Sequence, residues 1–274
     1  MGRGNVFSSR LAVRQRVGLL DEIRGLCIIL MVLYHAAFMV LFVFGWDITI
    51  GDEDFRLLSF VYFSPPLRLA QPFVAGIFVF ISGIVCRYSR GNLKRGIIAL
   101  GLAVAISTAT IFLLEGMSFP VYFGILHLLG SSMVIFALTR PALDKLVPGL
   151  GLLIMLLLFA FTYSIPRQNL LGIPGVWTAE IPDMLGEISW LLPLGFAPAG
   201  ADYFPLLPWL FLFLAGSYLG VAFINGDMPR FVYRTRSRAL SAIGRRAILV
   251  YILHQPILFG LMFGISAAVA FFRG

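Results

Sequence analysis

The chain has 274 residues, 59% of them hydrophobic and 12% charged, with a net charge of +8. Soluble domains carry about 25% charged residues, so this composition excludes an ordinary water-soluble enzyme and points to lipid as the solvent. A pI near 9.9 would suit nucleic acid. However, the basic residues sit in short loops between apolar runs, with no basic stripe of stacking aromatics outside them, which excludes a nucleic-acid partner.

The expected fold is all-α: a polytopic transmembrane helical bundle of about seven spans plus one re-entrant or interfacial hairpin. It forms a single membrane-embedded domain over 1–274, with a basic tail at 1–17. A spanning helix needs about 20 mostly apolar residues. Such runs fall near 20–44, 69–86, 96–114, 119–139, 147–166, 203–224 and 243–272. The tail holds Arg3, Arg10, Arg14 and Arg16. Lys and Arg collect on the cytoplasmic side, so the N-terminus is expected there. The run after the tail is too long for a signal-peptide core and shows no small-residue cleavage site, and no lipidation motif is present.

The 45–68 loop is acidic through Asp47, Asp52, Glu53 and Asp54, and is expected outside. Arg87, Arg90, Lys94 and Arg95 mark an inner turn, Glu115 an outer one, and Arg140 and Lys145 an inner one. The base-poor 167–202 stretch goes outside; Arg230, Arg234, Arg236, Arg238, Arg245 and Arg246 go inside. Seven spans satisfy every turn in a cell inner membrane and leave the C-terminus external. The apolar patch 184–198, broken by Pro193 and Pro198, then has both ends outside; eight spans with one charge violation is the alternative. No internal repeat of the kind seen in two-halved transporters is evident. Trp46, Trp177 and Trp190 lie in outer segments, where aromatic-belt anchoring accounts for them. Cys27 and Cys86 lie inside apolar runs and read as buried free thiols.

Within the first run, Arg24 precedes His35 by eleven positions. On an α-helix that is about 16 Å of rise and nearly three whole turns, so both project from one face. Ionisable groups in a span are costly and mark a functional site by default. The other two histidines, His127 and His254, also lie in apolar runs; three such residues and none in loops ask for a shared polar pocket. Gly124, His127 and Ser131 form a small, polar stripe, which equally describes a tight helix seam. Tyr251, His254 and Gln255 share a face, and Pro256 frees the Ile252 carbonyl and is expected to kink the helix. Asp202 and Tyr203 stand at the outer mouth of the sixth span. Asp202 serves there either as a helix N-terminal charge or as the orienter of a histidine or acceptor. No HxxxH, HExxH or CxxC spacing occurs, so no metal is expected. Without GxSxG, Ser82 in FVFISG does not read as a hydrolase nucleophile.

LDEIRGLCIILMVLYH holds the pattern arginine, ten residues, histidine, and resembles the membrane acyltransferase superfamily, which includes acyltransferase family three. FVFISG, FGILHLLGSSM, ADYFPLLPW and LSAIGRRAILVYILHQPIL, in that order, resemble a narrower group: bacterial relatives of the heparan-α-glucosaminide N-acetyltransferase catalytic domain. The resemblance runs from about residue 17 to 260. It implies an integral-membrane enzyme with acetyl-CoA or another acyl-CoA as co-substrate. The acyl group would pass from the cytoplasm to a hydroxyl or amine of a carbohydrate-like or other small acceptor reached from the other side. It implies His35 as the catalytic candidate, on the strength of the wider superfamily rather than the heparan branch, and Arg24 on the acyl-CoA side.

The residues fit that chemistry. His35 is placed to take the acceptor's proton as it attacks the thioester, with an acyl-histidine intermediate as the competing route. His254 or His127 would orient the acceptor or donate to the oxyanion. Arg24, Arg245 and Arg246 are placed to meet CoA phosphates, although Arg245 and Arg246 also fit inside-positive topology alone. Asp202, Tyr203 and Gln255 fall on the acceptor side. Arg24 and His35 would then mark the ends of one thioester-holding tunnel. The rivals are a transporter or flippase with a histidine proton relay, and a structural membrane subunit. A homodimer is left open.

Overall fold

The computed structural model describes residues 17–47, 49–50, 55–113, 120–173 and 177–273. The tail before Val17, the triplet Asp52, Glu53 and Asp54, and Glu115 lie outside the described residues. The helices are α1 (Gly18–Phe38), α2 (Leu57–Tyr62), α3 (Pro65–Tyr88), α4 (Asn92–Thr108), α5 (Ile125–Leu143), α6 (Pro148–Thr162), α7 (Leu206–Asn225), α8 (Arg230–Tyr233), α9 (Arg238–Arg245) and α10 (Ala247–Arg273). Turns of π-helix at Met39–Val43 and Ala109–Leu113 extend α1 and α4. Two short antiparallel pairs complete the chain: β1 (Thr49–Ile50) with β2 (Phe55–Arg56), and β3 (Asn169–Ile173) with β4 (Trp177–Glu180).

Among the described residues, seven helices are long and apolar enough to cross a membrane: those built on α1, α3, α4, α5, α6, α7 and α10. Their boundaries follow from residue chemistry. Pro65 and Pro66 open α3 and Pro148 opens α6, where a missing N–H costs nothing. Gly226, at φ +80°, takes the left-handed turn that ends α7. The run near 119–139 turns helical only at Ile125, because 120–124 pairs instead with 201–204. The Ala201 N–H meets the Pro120 carbonyl at 2.8 Å and the Phe204 N–H meets that of Phe123 at 3.0 Å. The last run breaks at Arg246 into the amphipathic α9 and the long α10, which continues as one helix through Pro256. The patch at 184–198 forms two 3-10 segments, Asp183–Leu185 and Ser189–Leu194, each too short to span.

Two crossings bring backbones together. A Cβ on Gly83 would stand 1.9 Å from the Phe213 carbonyl oxygen and one on Gly216 2.0 Å from that of Phe80, so α3 and α7 touch main chain to main chain. A Cβ on Gly25 would lie 2.1 Å from the Leu240 oxygen and one on Gly244 1.9 Å from that of Asp21, which locks α1 to α9. Small residues permit such approach where lipid offers no hydrophobic drive between helices. The core fills around Val79, Leu128, Phe136 and Phe213. α10 is different: beyond Pro256 most of its residues are exposed. Leu69, Phe73, Phe271 and Phe272 are each more than two-thirds exposed, an outer surface suited to lipid tails.

Candidate active site between the first and last helices

The basic end of the site starts from the α1–α9 crossing. Buried Glu22 on α1 accepts the backbone N–H groups of Arg236 and, at 2.7 Å, Ser237. Ser237 Oγ accepts from Leu240 N–H. A carboxylate and a serine thus cap the N-terminus of α9. Two positions on, Arg24 turns inward. Its Cζ lies 5.9 Å from the centre of the Phe78 ring, and its charge is in the field of Asp21 and Arg95. Its Nε is buried without a hydrogen-bond partner among the described residues. A buried unmet donor is expensive, so this guanidinium is poised for an acceptor. Arg245 and Arg246 lie exposed at the α9–α10 joint, with Arg245 donating to Ser241 Oγ at 2.7 Å. Arg87 and Arg140 instead pair with Asp144, at 2.6 and 3.4 Å.

Three turns along the same face of α1, the His35 ring meets that of His254 on α10. Their centroids are 5.0 Å apart at an interplanar angle of 71°. Each ring turns Nδ1 to a carbonyl of its own helix: His35 to Met31 at 2.9 Å, His254 to Tyr251 at 2.5 Å. A carbonyl only accepts, so each Nδ1 carries the hydrogen, and a neutral ring keeps its lone pair on Nε2. His254 Nε2 is buried with no partner among the described residues. Tyr34 flanks His35 with ring centroids 5.9 Å apart, and its hydroxyl accepts that of Tyr62 at 2.8 Å. Asp47 accepts the Leu58 and Ser59 N–H groups at 2.9 and 3.3 Å, which holds α2 where Tyr62 can reach.

Asp202 enters from the turn before α7. Its Oδ2 accepts the Tyr251 hydroxyl at 2.7 Å, and its carboxylate also takes the Ile125 N–H at the start of α5. Burial pushes this carboxyl above the usual range, while His35, Tyr251 and the Ile125 N–H pull the other way. Its backbone sits at φ +50°, a left-handed conformation uncommon outside glycine and the short polar residues.

The expected pocket of three histidines is a pair. His127 Nδ1 accepts the Gly124 N–H at 3.2 Å, and its Nε2 lies 3.4 Å from Ser107 Oγ, which itself donates to the Val121 carbonyl. The ring caps α5 and ties it to α4, with Phe123 stacked on it at 5.2 Å. Tyr203 donates to the Leu192 carbonyl at 2.6 Å and pins the second 3-10 segment; burial pushes its hydroxyl up to about 12. Gln255 follows His254, half-buried. Between Arg24 and His35 that face of α1 carries Cys27, Ile28 and Met31, the first two buried in the core. A groove of about 1020 Å³ lies elsewhere, along α3 and α7, lined by apolar side chains such as Phe73, Phe80 and Trp209. No group of three or more His, Cys, Asp or Glu placed to hold a metal ion occurs among the described residues.

Sequence spacing missed three features: the Glu22 cap, the nearness of Arg95 to Arg24, and the bond from Tyr251 to Asp202. Each joins positions far apart in the chain, and only the tyrosine, one turn before His254, left a local signal.

Seven apolar helices define a polytopic membrane protein, and a buried guanidinium and paired imidazoles make its candidate site. The family described as heparan-alpha-glucosaminide N-acetyltransferase, catalytic, matches residues 16–256. The chain belongs to that family and is a membrane acetyltransferase. Neither a curated protein nor a solved structure matches it.

Proposed function

We propose that the protein moves an acetyl group from cytoplasmic acetyl-CoA to a hydroxyl or amine of a small, carbohydrate-like acceptor that enters from the opposite side of a cell inner membrane. The observation that carries this reading is the two-ended face of α1. Arg24, whose buried Nε meets no acceptor among the described residues, marks one end, and the contacting rings of His35 and His254 mark the other.

Arg24, with Arg245 and Arg246 at the α9–α10 joint, meets the CoA phosphates; a planar guanidinium suits them. The pantetheine arm lies along the α1 face, where Cys27, Ile28 and Met31 must yield to it. His35 Nε2 takes the acceptor's proton as the acceptor attacks the thioester carbon. The C–S bond then breaks, and the leaving CoA thiolate recovers the proton. General-base help of this kind contributes roughly 10²–10⁴ in rate. A neutral His254 with its hydrogen on Nδ1 offers only a lone pair at Nε2. It therefore orients the acceptor by accepting a hydrogen bond and does not donate to the oxyanion. Asp202 and Gln255 stand on the acceptor side, and Tyr203 shapes the wall through Leu192.

The test is sidedness in sealed vesicles. With acetyl-CoA only on the face bearing Arg24, CoA thiol should appear there and acetylated acceptor on the other. Acceptor movement without thiol release would replace this reading with a transporter.

A further inference from the structure

We infer that Tyr251 and Asp202 act as a positioning pair that holds a counter-charge beside His35. The inference rests on the acyl-transfer reading above and adds two residues that act through the histidine.

Three elements converge on the carboxylate. α10 supplies the Tyr251 hydroxyl, 2.7 Å from Oδ2. The start of α5 supplies the Ile125 N–H. The turn before α7 supplies Asp202 itself, at φ +50°. Gly124 leaves room for this approach, since a Cβ there would lie 2.8 Å from Oδ2. A plain helix cap accounts for the Ile125 contact alone. It does not account for a tyrosine from another span, a left-handed backbone, or His35 within the field of the same carboxylate.

Transfer gives these features a task. When His35 Nε2 takes the acceptor's proton, an imidazolium forms in a medium of low dielectric, where an opposite charge counts for more than in water. Among the described residues, the titratable groups recorded against His35 are His254 from α10 and Tyr34 from α1 itself, by ring contact, and Asp202, by charge. Of these only Asp202 is a carboxyl group; burial raises it, and the Tyr251 hydroxyl and the Ile125 N–H, both donors to its oxygens, favour the charged form. Tyr251 also shapes the second ring: its hydroxyl fixes Asp202 while its carbonyl fixes Nδ1 of His254. One residue thus sets both the counter-charge and the tautomer.

The test uses purified full-length protein in lipid nanodiscs with 15N-labelled histidine. Three histidines give three sets of imidazole signals, assigned with His35→Ala and His127→Ala. Tyr251→Phe and Asp202→Asn should each move the His35 signals and leave those of His127 in place. Tyr251→Phe should also lower kcat by roughly 10- to 100-fold, the worth of one hydrogen bond to a charged group, with KM for acetyl-CoA held within about twofold. His35 signals unchanged in Tyr251→Phe, or an intact kcat with a raised acceptor KM, would overturn the pairing. If Asp202→Asn does not fold, Tyr251→Phe decides alone, because it keeps the carboxylate and the Ile125 contact. Wild-type protein that transfers no acetyl group while Tyr251→Phe still moves the His35 signals would sink the transferase reading and leave the pair standing.

Discussion

His35 and His254 use one local device twice: each imidazole returns Nδ1 to a carbonyl about one turn back, which leaves Nε2 as the basic atom. His127 uses neither nitrogen that way, and both are engaged in capping α5 and holding Ser107. The consequences separate by assay. His35→Ala should lower acetyl transfer by at least about 10²-fold without changing the elution of the purified protein. His127→Ala should cost about 0.5–2 kcal/mol of stability through the lost cap, seen as a lower melting temperature, while turnover per folded molecule persists. Arg24→Gln should raise KM for acetyl-CoA far more than it changes kcat, because a phosphate contact made before and during reaction acts on binding. Equal loss in both constants would move Arg24 into the chemical step.

At the scale of elements, the site depends on how α9 and α10 approach α1. Gly25 and Gly244 let α9 lie against α1 backbone to backbone, and Glu22 caps it there. The break at Arg246 then launches α10 so that His254 faces His35. Gly244→Val puts a side chain against the Asp21 carbonyl. It should destabilise by about 1–3 kcal/mol or more, read as aggregation on size exclusion and loss of acetyl-CoA binding together. Glu22→Gln should cost about 0.5–2 kcal/mol, with a smaller effect on binding. The spans themselves were legible in the chain, since lipid demands long apolar runs. The helix starts were less so: 120–124 reads as apolar and span-like, but its backbone pairs with 201–204. Long-range pairing of this kind leaves no periodicity to read.

For the whole molecule, a buried guanidinium and an imidazole pair stand at opposite ends of one inward face, inside a bundle whose outer surface is apolar. The Arg24–His35 spacing put both residues on one face in advance, because helical periodicity fixes what shares a face. The partner of His35 was not legible. Whether His127 or His254 would reach it depended on how α10 leaves α9 toward α1 and on the pairing of 120–123 with 201–204, both of which are tertiary facts. The orientation proposed above predicts that a cysteine placed at Arg90 reacts with a membrane-impermeant maleimide only from the cytoplasm, and one at Gln168 only from outside; the reverse labelling would invert the bundle. The most direct test of the account is acetyl-CoA turnover by purified His35→Ala beside wild type, both checked for the same elution profile. The account predicts steady CoA release by wild type in the presence of acceptor and none above background in the variant. A folded variant that releases CoA at the wild-type rate would contradict it.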